Sequence, residues 1–278
     1  MVYEGVLHCP DSNCQLEYPI IDGIPLLLPD VRSYISDNLY HLTARDDLSE
    51  TTESILGDCI GPGTQFDSTR QHLSTYTWDA YADLDDAEPD ADTAAGASPG
   101  AVKRCLEKGL ELLQGGISAP VIDLGCSVGR STFELAARGD CLTLGIDNNF
   151  SMLRLAQQVL HDQQVRYPRR RIGVVYDRRE FAVNFKHADK VDFWACDALS
   201  LPFAVNSFSL AVGLHLLDSV SSPRDMLESI SRLLQPGGSA VLACPYDWSP
   251  AVTPIECWIG GHSQRGENRG AGEPLLRS

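Results

Sequence analysis

DLGCSVGR, residues 123–130, is the stretch that decides the fold. A short apolar run, Val121 and Ile122, leads into it, and an amphipathic segment, STFELAARG, leads out to Gly139. That order predicts a strand, a tight glycine turn and a helix start. Gly125 lets the backbone turn with no Cβ in the way, and Gly129 lets a ligand or the next helix approach closely. The free N–H groups and positive dipole of the helix's first turn favour an anionic group above the strand end. The spacing narrows the ligand. A dinucleotide fingerprint, G-x-G-x-x-G, needs a middle glycine for the pyrophosphate, whereas here Gly125 is followed by Cys126, Ser127, Val128 and Gly129. An acid, Asp123, stands two residues before the first glycine. It repels a phosphate and suits an ammonium group, so a zwitterion fits better than a nucleotide phosphate.

The next segments agree. Residues 141–146, CLTLGI, predict a second strand ended by Asp147, with Asn148 and Asn149 before a helix from about Ser151. An acid at that strand tip suits two ribose hydroxyls, because one carboxylate accepts from both. Residues 191–196 predict a third strand ending at Asp197 and Ala198, residues 208–214 a fourth and residues 240–244 a fifth. Residues 223–234 read as a helix with Met226, Leu227, Ile230, Leu233 and Leu234 on one face, broken by QPGG at 235–238. Strands alternating with helices predict an α/β protein with a doubly wound parallel sheet.

The order DLGCSVGR, GIDNN, ACDALSLPF, a hydrophobic strand and LLQPGG, over residues 102–247, resembles class I S-adenosylmethionine-dependent methyltransferases. The resemblance implies a Rossmann-like sheet and S-adenosyl-L-methionine as cofactor. It places the methionine part of the cofactor at Asp123, Gly125, Cys126, Ser127 and Gly129. The ribose then falls to Asp147, beside Asn148, and the adenine amino group to Asp197 with the Ala198 backbone. In that fold the acceptor faces the ends of the fourth and fifth strands, which makes His215, Asp218, Tyr246, Asp247, Trp248 and His262 the available groups. His215, Tyr246 and Asp247 are the candidates for catalysis. His215 directly follows the fourth strand, where it touches the cofactor, acts as base or only caps the strand.

Composition sets the limits. The chain has 278 residues, 43% hydrophobic and 22% charged, enough for one good core and a small appendage. No apolar run approaches the roughly 20 residues that span a bilayer, and no signal-peptide pattern opens the chain. Nine scattered cysteines, several in expected core strands, read as reduced thiols and a cytoplasmic setting. A net charge of −16 disfavours broad contact with nucleic acid. One local exception has six arginines at residues 166–180. It reads either as a contact for an anionic substrate or RNA, or as a solvated hairpin with arms at 172–176 and 181–185; the negative field of the whole chain favours the hairpin.

Three regions are expected: an appendage at 1–40, a helical lid with an acidic linker at 41–100, and the cofactor-binding domain at 101–278. The Cys9-Pro10 knuckle and YPIIDGIPLLLP at 18–29 resemble the small zinc-ribbon-like proteins that activate methyltransferases. Cys9 and Cys14 with His8 fall short of the four ligands of structural zinc, so a metal-free remnant is expected, docked on its own catalytic domain or on a second chain. Tyr76, Trp78 and Tyr81 are candidates for a lid over the cofactor or for an aromatic stripe on the core. Residues 84–100 read as a polar linker.

Too little chain follows the fifth strand for a sixth and a seventh, so the sheet is expected to stop at about five strands with one wall of the site open. PYDW, followed by TP, W and GG, is similar to a segment of mercaptohistidine methyltransferases. A small-molecule acceptor with a nitrogen, sulfur or oxygen nucleophile is therefore expected, and no membrane. RNA or protein acceptors rank second, beside a cofactor-binding module without turnover.

Overall fold

The computed structural model describes residues 2–11, 13–14, 16–88, 98–113, 115–261, 265 and 268–277. His262 and residues 89–97 of the expected linker lie outside them. Three short antiparallel strands open the chain: β1 (Gly5–His8), β2 (Glu17–Ile21) and β3 (Ile24–Pro25), paired in that order. Helices α1 (Val31–Thr43), α2 (Glu50–Ile60), α3 (Gln65–Tyr81) and α4 (Ala101–Glu111) follow. The main sheet is built from β4 (Val121–Leu124), β5 (Thr143–Asp147), β8 (Val191–Ala195), β9 (Phe208–Leu214) and β10 (Leu234–Ala243). Its order is β10-β9-β4-β5-β8 and every pairing is parallel. Helices α5 (Arg130–Gly139), α6 (Phe150–Asp162) and α7 (Pro223–Leu233) connect the strands.

The strands sort their side chains with a period of two. On β4, Val121 joins Leu106, Leu135 and Val241 under α4 and α5, while Ile122 and Leu124 join Met226, Ile230 and Leu233 under α7. Both faces are covered, so β4 carries apolar side chains on each, interrupted by Asp123. Helix starts carry their own signals. The Asn149 side chain accepts from the Ser151 and Met152 N–H groups at the start of α6, and Ser222 caps α7 ahead of Pro223.

The fifth strand begins earlier than expected. Helix α7 ends at Leu233, ahead of QPGG, and QPGG itself is looped out of register between Leu234, paired with Phe208, and Ser239, paired with Leu210. Gly237 takes φ +82° in that bulge. Among the described residues no sixth or seventh strand joins β10; a 3-10 turn (Ile255–Cys257) and α8 (Glu273–Arg277) follow it.

The arginine-rich run is a hairpin, with arms displaced from those expected. Strand β6 (Gln164–Ile172) pairs antiparallel with β7 (Val175–Ala182). Its arginines are not simply solvated. Arg169 pairs with Glu88 at 3.3 Å, Arg178 with Glu53 at 2.8 Å and Arg179 with Asp85 at 2.5 Å. Acidic residues of α2 and of the turn after α3 are thereby tied to the hairpin.

The N-terminal strands continue onto the main sheet. Leu26 bridges Ala195 in parallel and the Leu27 N–H donates to the Ala195 carbonyl at 2.9 Å, so the outer edge of β8 is occupied. Ile24 and Leu26 are fully buried there. Helix α1 crosses the boundary expected at residue 40 and lies against α6. The Tyr34 hydroxyl donates to the Asn148 carbonyl, and Arg154 pairs with Asp22 and donates to the Leu42 carbonyl.

Candidate functional site

The C-terminal ends of the parallel strands open onto a cavity of about 500 Å³. Gly125, Cys126 and Ser127 form one wall, Asp147 and Asn148 a second, and Asp197 and Ala198 a third. His215, Asp218 and Asp247 line the side below β9 and β10, and His72 and Tyr76 of α3 reach it from above. Three separate strand tips therefore converge, as the ends of a doubly wound sheet do at its ligand crevice.

The glycine turn is fixed by sterics. Gly125 has φ +68°, and a Cβ there would lie 2.9 Å from a Leu216 methyl. Gly129 has φ +86°, and its Cβ would lie 2.6 Å from the Phe193 ring and 2.9 Å from the Ala156 Cβ. Gly129 thus serves close packing under the turn and does not line the cavity. Asp147 holds the turn from the neighbouring strand: one carboxylate oxygen accepts from the Ser127 N–H at 2.9 Å and the other from the Asn149 N–H at 2.8 Å. Burial pushes its carboxyl up, and these N–H donors oppose the shift.

Asp123 is placed differently from the expectation. It is buried behind the turn, off the cavity wall, and accepts hydrogen bonds from the Ser131 and Thr132 hydroxyls at 2.6 and 2.7 Å. Alternation along β4 explains this, since Asp123 shares the Val121 face and meets the start of α5. Burial lifts its carboxyl to about 6 against the pull of the two hydroxyls. There the residue braces the turn through the start of α5.

The aromatic candidates divide. Tyr76 lines the cavity and is half exposed. The Trp78 indole N–H donates to Glu88 at 2.6 Å, with the Arg169 guanidinium 4.8 Å above its ring centre. Tyr81 is fully buried and its hydroxyl donates to the Val128 carbonyl at 2.7 Å. Two residues missed by the sequence reading complete that anchor. Arg130, 2% exposed, donates to Asp83 through both terminal nitrogens at 2.8 and 3.0 Å, and to the Ala80 carbonyl at 2.6 Å. Arg130 is the last residue of the octet itself; Asp83 stood in a stretch with nothing to mark it.

On the opposite side, His215 has φ +57° and its Nε2 lies 3.8 Å from the Cys105 thiol. Asp79 of α3 is near enough for the imidazole to oppose the upward push of burial on its carboxyl. Asp218 is buried, and one of its oxygens accepts from the Asp247 N–H at 2.7 Å, which holds the loop after β10. Tyr246 does not line the cavity. Its ring sits against Gly272, where a Cβ would lie 2.4 Å from it. Trp248 stacks on Trp258 at 6.0 Å instead. Among the described residues no three His, Cys, Asp or Glu side chains are grouped to hold a metal ion, and no helix is long and apolar enough to cross a membrane.

Residues 122–242 match the family model described as a methyltransferase domain. The matched stretch runs from β4 into β10 and carries every wall of the cavity except α3, the α4 residue Val102 and the loop after β10. The chain is 28% identical over 123 residues to O-methyltransferase rstn1 of Aspergillus nomiae, covering 44% of this chain and 45% of that one. It is 30% identical over 146 residues to a demethylmenaquinone methyltransferase of Lactiplantibacillus plantarum, covering 51% and 52%. The chain thus spans about half the length of these two relatives. Among solved structures, phosphoethanolamine N-methyltransferase 2 of Haemonchus contortus is similar at a TM-score of 0.44 and 18% identity, over 65% of this chain and 33% of that one.

The cavity suits the cofactor that the sequence resemblance implies. The Ser127 Oγ is buried at its wall with no hydrogen-bond partner among the described residues. Such an atom is costly unless a ligand satisfies it. Asp147 and Asp197 add carboxylate acceptors at adjacent strand tips, and Asp197 spends one oxygen on the Leu199 N–H at 2.9 Å.

Proposed function

We propose that this chain is an enzyme transferring a methyl group from S-adenosyl-L-methionine to a nitrogen, sulfur or oxygen atom of a small molecule. The observation that carries the reading is the convergence of the glycine turn, Asp147 and Asp197 on one cavity, with the Ser127 hydroxyl unpartnered at its wall. The match to a methyltransferase domain and the names of the relatives, an O-methyltransferase and a demethylmenaquinone methyltransferase, support it. Bound there, the cofactor supplies an electrophilic methyl on a sulfonium. The chain's own groups do the rest. Gly125, Cys126 and Ser127 cradle the amino-acid end, Asp147 accepts from the ribose hydroxyls, and Asp197 with the Ala198 backbone takes the adenine edge.

His215 and Asp247 flank the acceptor side, where His215 takes the proton of a protonated nucleophile and Tyr76 narrows the entrance to water. The N-terminal strands, hydrogen-bonded to β8, serve as a built-in support for the adenine side, and the free thiol state of all nine cysteines supports a reducing, cytoplasmic setting.

The test is calorimetric titration with S-adenosyl-L-methionine, then transfer of a labelled methyl group into fractionated metabolites and, separately, RNA. Micromolar cofactor affinity with label in a small-molecule fraction is expected. No binding by the unmodified chain would falsify the reading. Binding with no transfer into any fraction favours a cofactor-binding module.

A further inference from the structure

A second cavity, of about 320 Å³, lies between α1, α3, α6 and the β6–β7 hairpin. It shares no lining residue with the first. Its walls are apolar at Phe66, Leu73, Leu155 and Tyr167 and cationic at Arg70, Arg166 and Arg178.

Arg70 is the unusual member. It is 8% exposed, its guanidinium lies 4.0 Å from the centre of the Tyr176 ring, and its Nε has no hydrogen-bond partner among the described residues. Among the described residues no carboxylate comes within ion-pair distance of it. The acid one turn back, Asp67, is consumed by the Gly63 N–H, the Gln71 amide and the Tyr176 hydroxyl at 3.0, 2.7 and 3.1 Å. Glu53, on the cavity wall, is engaged by Arg178 at 2.8 Å.

Among the described residues Arg166 is likewise bonded only to main-chain carbonyls, those of Asp46 and Leu48 at 3.1 and 3.3 Å. The other lining acids are also occupied, Asp47 by Arg45, Asp46 by the Gln158 amide and Asp162 by the His161 imidazole. Burial lowers the affinity of Arg70 for its proton, and the Glu53 and Asp67 carboxylates oppose that push only at a distance, since both are bonded elsewhere. Stacking on Tyr176 uses the face of the guanidinium and leaves its edge, the fork that fits a carboxylate or phosphate, without a partner.

We propose that this cavity binds a small organic anion, an apolar body whose single carboxylate or phosphate head sits on the edge of Arg70, with Arg166 contributing a second positive charge. The four apolar walls take the body. The head completes the ion pair that the fold leaves open.

The experiment is calorimetric titration of the full chain with benzoate, phenyl phosphate and the neutral benzamide. At least one anion is expected to bind about tenfold or more tightly than benzamide, and the tighter anion identifies the head. Arg70→Met is expected to remove about tenfold of that anion's affinity while leaving benzamide's unchanged. Asp147→Ala, at the first cavity, is expected to leave it within about twofold. Should Arg70→Met fail to fold, the unmodified chain still discriminates through the anion and amide pair, and Leu73→Trp, which fills the cavity, is expected to abolish binding of the anion. Equal affinity for anions and amide, no binding of any of the three, or full anion affinity in folded Arg70→Met overturns the proposal.

Discussion

The two halves of the strand-end cavity are held together by different means. The half at the tips of β4, β5 and β8 is braced locally: Gly125 and Gly129 take left-handed backbone, and Asp147 accepts from two neighbouring N–H groups. The half below β9 and β10 is assembled across the chain. His215 meets Cys105 over 110 residues of sequence, and Asp218 holds Asp247 over 29. Local geometry fixes the first half as soon as the strands pair. The second exists only once α3, α4 and the loop after β10 have packed, so its substitutions should cost binding selectivity before they cost the fold.

Gly129→Ala is the harshest way to break the local half. The added methyl meets Phe193 and Ala156 at 2.6 and 2.9 Å while the backbone stays at φ +86°. Overpacking and left-handed strain together predict a loss of about 4 kcal/mol in urea unfolding. Gly237→Ala in the β10 bulge has the same kind of backbone, φ +82°, and nothing within 4 Å, so about 1 kcal/mol is expected. Equal losses at the two positions would mean that Gly129 matters for its backbone alone.

The next largest effect is on pH dependence. The Asp123 carboxyl stands at about 6 in the fold, against about 3.9 for an unfolded chain. A carboxyl raised by folding stabilises in its protonated form, fully so below about pH 4, and that contribution is lost as pH rises through about 6. Two pKa units correspond to about 3 kcal/mol. Asp123→Asn keeps an acceptor for Ser131 and Thr132 and removes the charge. Its stability relative to the unmodified chain should therefore improve by about 3 kcal/mol between pH 4 and pH 7. Parallel urea-unfolding profiles over that range would contradict the assignment.

The contrast also explains what could be read from the sequence. The five parallel strands, the turn and the acids at the second and third strand tips were legible because each depends on residues near it in the chain: Gly125 and Gly129 for the turn, Asp147 and Asp197 for the strand ends. Asp123 was misassigned in position, since spacing from a glycine does not say which face of β4 a side chain takes; period-two counting from Val121 would have said so. Arg130 was in plain view, but its partner Asp83 lay 47 residues upstream. The arginine hairpin was recognised, while its acidic partners Glu53, Asp85 and Glu88 were spread over helices and turns whose packing no local pattern encodes. Tyr246 was a candidate because it follows the fifth strand, and its ring instead sits against Gly272.

Two further substitutions sharpen the comparison at its ligands. Asp147→Ala removes the proposed ribose acceptor together with the bond to the Ser127 N–H, and hydrogen bonds to a charged group are worth about 1.5–3 kcal/mol. Cofactor affinity should fall about a hundredfold by calorimetry, with the far-ultraviolet circular dichroism unchanged. The effect belongs to the cofactor half only if the relative turnover of different acceptors at saturating cofactor is kept.

Asp218→Asn tests the other half and is the mildest change. The amide oxygen can still accept from the Asp247 N–H, now held at 2.7 Å by a carboxylate oxygen, but a charge-assisted bond becomes a neutral one. The difference is about 1 kcal/mol, enough to loosen the loop after β10 without unfolding it. The acceptor's KM should rise about fivefold, with cofactor affinity held within about twofold because no cofactor-side group leans on Asp218. If cofactor affinity falls as far as acceptor affinity does, the two halves are mechanically one, and the division drawn from their bonding is lost.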